Sequence, residues 1–170
     1  MEDQISDEEQ IMRTKVKQFV EEELSPISLQ VEKEGRIPLQ IVERMRELGF
    51  FGLSIPQKYG GLGLSTLSEI MVYEELTKTN ACFRSRIGTS NSIGSMGILF
   101  DGTEDQKQKY LSRIASGEWT AAFALTEPDA GSDASNIKAS AVLEGDHWVL
   151  NGTKLFITNG DSADVLPLLR

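Results

Sequence analysis

The sequence predicts an α+β fold, with an all-helical N-terminal domain over residues 1–118 and a truncated antiparallel β-barrel-like domain over residues 119–170. Three observations carry this expectation. Apolar residues recur at helical spacing from Ile11 to Ile114, serine or threonine caps precede these runs at Ser6, Thr66 and Thr103, and after Glu118 the apolar period changes from 3.6 to 2. Helices first and strands afterwards argue for segregated layers. The 170 residues are enough for one good core, or one domain plus part of another.

Ser6 and Glu9 form a capping box that opens a helix through Met12, Val16, Phe19 and Leu24. Pro26 interrupts the pattern, which resumes at Ile27 and stops at Gly35, so the segment reads as a kinked helix or two short ones. Pro38 starts a second helix, through Ile41, Val42 and Met45, that Gly49 ends. Residues 50–64 mix glycine, proline and apolar side chains and read as a tight connection. Thr66 with Glu69 is a second capping box, for a helix ending near Thr79. The span from Ala81 to Leu99, rich in serine and glycine, reads either as one buried, closely packed helix or as irregular structure. Thr103 with Gln106 caps a last helix that Gly117 closes.

Strands are expected at Trp119 to Thr126, Ile137 to Leu143, Trp148 to Leu150 and Lys154 to Thr158. They are joined by Glu144-Gly-Asp146 and by Asn151-Gly152, a dipeptide suited to a two-residue hairpin turn.

The net charge of −9 and the absence of a Lys/Arg cluster argue against nucleic acid or anionic membrane as partners. No apolar run reaches the length of a membrane span, and the acidic N-terminus differs from a basic leader, which points to a cytoplasmic address. With Cys82 as the only cysteine and His147 as the only histidine, neither an intrachain disulfide nor a zinc site is expected. Cys82 reads as packing and His147 as an exposed strand residue.

The stretch with chemical content is Phe123-Ala-Leu-Thr-Glu-Pro-Asp-Ala-Gly-Ser132-Asp133. A short apolar strand ends at Thr126 and opens into a loop that Pro128 stiffens and Gly131 allows to turn sharply. Successive amides in such a loop form a concave nest for phosphate or pyrophosphate, and Ser132 adds a hydroxyl there. Thr158 ends a later strand, so two threonine hydroxyls can meet one planar heterocycle. From residue types alone, a solvated surface loop flanked by strand-forming threonines accounts for the same residues.

Leu125-Thr-Glu-Pro-Asp-Ala-Gly-Ser-Asp133 followed by Leu150-Asn-Gly-Thr-Lys-Leu-Phe-Ile-Thr-Asn-Gly160 closely resembles the two flavin-contacting signatures of the acyl-CoA dehydrogenase family. Ile55-Pro-Gln-Lys-Tyr-Gly-Gly-Leu-Gly63 and Gly102 to Leu111 resemble a loop and the last helix of that family's N-terminal domain. The resemblance covers residues 6 to 164. It implies FAD-dependent α,β-dehydrogenation of an acyl-CoA thioester, with electron-transfer flavoprotein as the acceptor and a homo-oligomer when the protein is complete. It further implies that Phe123, Leu125 and Thr126 line the flavin, that Gly131 and Ser132 receive the pyrophosphate, and that Ser132 also touches the CoA part of the substrate. Phe156, Ile157 and Thr158 are implied to cover one flavin face. Many relatives carry tryptophan where Phe156 stands, and a core aromatic at an inward strand position would look the same in sequence.

The departures are expectations too. After Asp164 the chain reads Val-Leu-Pro-Leu-Leu-Arg170, with Pro167 where a ladder N–H is wanted. No residue matches the family's catalytic glutamate, so no catalytic residue is assigned. An unpaired sheet edge with exposed apolar residues is expected, and turnover by these 170 residues alone is not. Two alternatives stay open: an acyl-CoA oxidase or flavin monooxygenase of the same fold, and a non-enzymatic helical module that binds a protein partner.

Overall fold

The computed structural model describes residues 6–170. Its first element, α1 (Asp7–Phe19), starts where the cap demands: Ser6 Oγ accepts from the Glu9 amide at 3.2 Å, and the Glu9 carboxylate accepts from the Ser6 amide at 2.8 Å. The expected kink takes a defined form. A π-helical turn over Val20–Leu24 and a 3₁₀ turn over Ser25–Ile27 absorb Pro26 before α2 (Ser28–Glu34) resumes. Gly35 and Gly49, both left-handed, stop α2 and α3 (Leu39–Glu47). Two 3₁₀ turns fill the apolar connection: Phe50–Gly52, wholly buried, and Gln57–Tyr59, which buries Tyr59 alone.

The start of α4 (Thr66–Leu76) corrects the sequence reading. Ser65, not Thr66, is the N-cap: its hydroxyl accepts from the Ser68 amide at 3.2 Å, while Glu69 accepts from the Tyr73 hydroxyl instead of closing a capping box. The helix is held to α1 by Arg13, whose Nε donates to buried Glu75 at 2.8 Å, and Lys78 reaches the same carboxylate at 2.6 Å. The serine-rich span divides into α5 (Ala81–Asn91) and α6 (Met96–Asp101). The bend between them brings the backbone against the next segment: a Cβ on Gly94 would stand 2.7 Å from Ala121 Cβ and from Thr89 O. The last helix, α7 (Glu104–Ala115), carries the Thr103–Gln106 capping box as expected. Among the described residues no helix is long and apolar enough to cross a membrane.

The β part is an open structure, with one antiparallel hairpin, β1 (Ser140–Glu144) and β2 (His147–Asn151), in the register Ser140 with Asn151 to Glu144 with His147. Its turn is Gly145-Asp146, with Gly145 at φ 65°. Asn151-Gly152 makes no hairpin. Gly152, at φ 154°, passes so close to Ala139 that a Cβ would lie 2.8 Å from Ala139 Cβ. That dipeptide marks a close approach of two backbones.

The expected strand at 119–126 pairs in parallel with the chain end rather than antiparallel with a hairpin partner. Val165 N donates to Thr120 O, Ala122 N to Val165 O, Ala124 N to Pro167 O, and Leu169 N to Ala124 O. In this register residue 167 would donate to Ala122 O. Proline cannot, which reduces the ladder to bridges at Ala121–Val165 and Ala124–Leu168 without ending it. Lys154 to Thr158 is not a strand. Exposed apolar side chains do accumulate as expected, at Val142, Leu143, Trp148, Leu150 and Leu166.

Candidate functional site

The short antiparallel contact after Thr126 sets the site. Glu127 N donates to Ala130 O at 2.8 Å, so Pro128-Asp129 form the tip of a tight reverse turn. Gly131 is not left-handed, and a Cβ there would meet only Thr126 Cγ2, at 4.0 Å. The turn is therefore made at 127–130 and does not rely on glycine at 131, which corrects the role expected for Gly131. After it, the amides of Gly131, Ser132 and Asp133 and the Ser132 hydroxyl find no protein acceptor among the described residues. They form a row of free donors beside Thr126.

The second wall is strapped to the first through its backbone and through Lys154. Leu155 N donates to Thr126 O at 2.9 Å, and Asn159 Nδ2 to Ala121 O at 3.2 Å. Lys154 Nζ donates to Leu125 O at 2.9 Å and to Glu127 Oε1 at 2.8 Å. Both partners of this ion pair are buried, with side chains 10% and 5% exposed. Glu127 also accepts from the amides of Lys138 and Ala139, at 2.8 and 2.9 Å. One carboxylate thus ties the start of the loop, the second wall and the approach to β1 together.

The Lys154 hydrogen bond, followed by the Lys138 amide, outweighs burial and lowers the Glu127 carboxyl to about 2. Its ionised form is the one the folded chain holds. That contribution is complete above the ordinary value of 4.5 and is lost as pH falls toward 2. Over that window the Lys138 and Ala139 amides are expected to lose hydrogen-exchange protection relative to their intrinsic rates. In Glu127→Gln the same comparison should show no such step, and a step of equal size there would remove Glu127 as its cause.

Between the walls lies a pocket of about 270 Å³ lined by Phe123, Leu125, Thr126, Phe156, Ile157 and Thr158, closed by Thr89 of α5 and Ile93 beyond it. Six of the eight residues singled out in the sequence meet there; Gly131 and Ser132 stand outside the lining. Neither the Thr126 nor the Thr158 hydroxyl has a hydrogen-bond partner among the described residues. Thr89 was not foreseen, because a helix buried on several sides shows no single apolar stripe, nor was Ile93, which lies past the end of α5 and is 52% exposed. The Glu127–Lys154 clamp was not foreseen either, since its partners lie far apart in sequence.

Phe156 is neither a core aromatic nor a strand residue. It has φ 56° and is 91% exposed. A bulky side chain in the left-handed region costs about 1–3 kcal/mol and persists where surrounding structure enforces it. Here the Leu155–Thr126 hydrogen bond and the Asn159 side chain pin the chain on either side. The ring is held outward at the pocket mouth.

Apolar walls, an outward aromatic and two free hydroxyls, with a row of free amides outside the lining, are the kinds of group that suit a planar heterocycle carrying a phosphate tail. The chain belongs to the acyl-CoA dehydrogenase family: the family models described as acyl-CoA dehydrogenase, N-terminal domain and middle domain match residues 6–118 and 122–169. Acyl-CoA dehydrogenase, short-chain specific, of Clostridium acetobutylicum is 40% identical over 161 residues, covering 95% of this chain and 42% of that protein. A solved chain described as electron transferring flavoprotein of Acidaminococcus fermentans superposes with a TM-score of 0.91 at 40% identity, over 98% of this chain and 44% of that one. An acyl-CoA dehydrogenase complexed with FAD from Bacillus anthracis gives 0.86 at 35% identity, over 98% and 29%. The chain spans about two fifths of the length of the curated relatives it matches.

Proposed function

We propose that these residues form the flavin-cradling part of an FAD-dependent acyl-CoA dehydrogenase, with residues 1–118 as its helical domain and 119–170 as the first part of its middle domain. The observation that carries the reading is the meeting of Phe123, Leu125, Thr126, Phe156, Ile157 and Thr158 around one pocket, two of them with free hydroxyls. When bound, FAD supplies the two-electron acceptor for α,β-dehydrogenation of an acyl-CoA thioester. Thr126 and Thr158 donate to the polar edge of the ring system, Phe123, Leu125 and Ile157 exclude water, and Phe156 stacks at the mouth. Gly131 and Ser132 present amides and a hydroxyl to the pyrophosphate, and Ser132 also touches the CoA portion of the substrate. No acid or base lines the pocket, so the base that takes the α-proton is not among its lining residues. Electron-transfer flavoprotein is the proposed acceptor, as the family resemblance implies.

The test is the visible spectrum of the purified chain after incubation with FAD and desalting. Retained absorbance is expected. Thr126→Val and Thr158→Val should each weaken binding about fivefold, the loss of one modest hydrogen bond. Absence of retained flavin in the parent chain would defeat the reading. Anaerobic addition of butyryl-CoA should leave the retained flavin unbleached, and bleaching would mean that a base is present outside the lining.

A further inference from the structure

A cavity of about 620 Å³ is a different space from the flavin pocket and shares only Thr158 with it. One wall is a face of α5: Cys82, Ser85 and Arg86 line it, and Thr89 one turn further on lines the smaller pocket. That spacing follows the i, i+3, i+4, i+7 rule of a helix face. Opposite stand the end of α2 and the turn that follows Thr158.

The cavity lining carries charges of both signs, Arg36 and Arg86 with Glu32 and Asp161. At its Cys82 end, Asn80 Nδ2 donates to Glu32 at 2.7 Å, which satisfies both groups. One helical turn away, the half-buried Arg86 donates a single hydrogen bond, from Nη2 to Thr120 Oγ1 at 3.0 Å, and lies over the Phe51 ring at 5.5 Å. Its guanidinium carries five N–H donors. No carboxylate lies within ion-pair distance of it among the described residues; Asp164, whose charge favours the cation, accepts from the Thr120 amide at 2.8 Å, and Glu32 and Asp161 also line the cavity. Behind it stands a second guanidinium, Arg46, whose Nε is buried without a partner. Burial first, and Arg46 second, push the Arg86 guanidinium below its ordinary value. A guanidinium at a cavity wall with one hydrogen bond and no ion pair, next to a second cation, is a cost that an anion in the cavity would lower.

We infer that the Arg86 end of this cavity is a binding subsite for an anionic oxygen group, a carboxylate or a phosphate, on a ligand lying along α5. The geometry suits a planar carboxylate best, since the fork of Arg86 can take it bidentately while Thr120 holds the remaining edge. The subsite is independent of the flavin reading, because its residues lie outside the flavin pocket and its test uses no flavin.

The experiment is a titration of the flavin-free 170-residue chain, followed by nuclear magnetic resonance at the Arg86 Nε–Hε signal and the α5 amides. Glutarate and inorganic phosphate are the probes, at constant ionic strength with chloride as the balancing anion. A saturable shift is expected with glutarate and a weaker one with phosphate. A stronger response to phosphate would assign the subsite to a phosphorylated ligand within the same proposal. Affinity should fall at least about tenfold in Arg86→Gln and partially in Arg86→Lys, which keeps the charge but loses the fork. Arg36→Gln, at the exposed rim of the same cavity, should leave it unchanged. If neither probe shifts these signals saturably in the parent chain, or if the shift survives in a folded Arg86→Gln chain, Arg86 is only a structural tie to Thr120. The parent titration decides the first point even if the variant fails to fold.

Discussion

Phe83→Ala is expected to remove about 3–5 kcal/mol of stability, the range for truncating a buried phenylalanine. Phe83 is fully buried in the main core with Leu76 and Ile87, on the helix whose other face lines both cavities. Losing the ring leaves a cavity under α5, and a helix this closely packed cannot collapse freely into it. For a chain of this size the loss corresponds to a drop in Tm of roughly 6–20 °C. Thermal unfolding followed by circular dichroism would measure it. Phe83→Leu should cost distinctly less, because it keeps most of the apolar volume. The consequence reaches the site, since Thr89 and Arg86 hold position only as far as α5 does. Flavin retention and the Arg86 response should therefore weaken together in Phe83→Ala. If stability is unchanged, α5 is not anchored through this residue.

What could be read from the sequence follows from how local each determinant is. The capping boxes at Ser6–Glu9 and Thr103–Gln106 depend on four consecutive residues, and both stand where the sequence placed them. At α4 two hydroxyl residues compete for one role, and Ser65 takes it because its hydroxyl also meets Ser68 Oγ at 2.8 Å. Asn151-Gly152 has the composition of a turn, but the close approach of Ala139 claims the glycine, and that contact is not visible from neighbouring residues. Pro167 was correctly read as a missing donor. The parallel register that carries the ladder past it depends on a pairing across 44 positions, which is beyond any local pattern.

The same division runs through the site. Six of its residues were legible because they sit in two contiguous signatures. Thr89, Ile93 and Lys154 were not, because each acts across the fold. Phe156 was legible as an aromatic at the site but not in its conformation. A left-handed backbone is expected of glycine or asparagine, as at Asn159, and no sequence rule assigns it to phenylalanine.

Lys154→Met should open the loop while leaving the helical part folded. The substitution keeps much of the stem's apolar bulk and removes the cation that meets both Glu127 and the Leu125 carbonyl. Glu127 then remains buried with the Lys138 and Ala139 amides as its only partners, and an uncompensated buried carboxylate prefers to take up a proton. Its carboxyl value should climb from about 2 toward the ordinary 4.5, which a carbon-detected titration of the side chain would read directly. Near neutral pH the Lys138 and Ala139 amides should exchange at least about tenfold faster, the loss of a charge-assisted hydrogen bond. Exchange in α7 should not change. Flavin retention should fall as well, because Lys154 is one of the ties between the two pocket walls. The double variant Glu127→Gln with Lys154→Met discriminates the cause: a neutral pair has no buried charge to accommodate, so part of the lost protection should return. If exchange at 138 and 139 is the same in Lys154→Met as in the parent chain, the two walls are held by the Leu155–Thr126 and Asn159–Ala121 hydrogen bonds without Lys154.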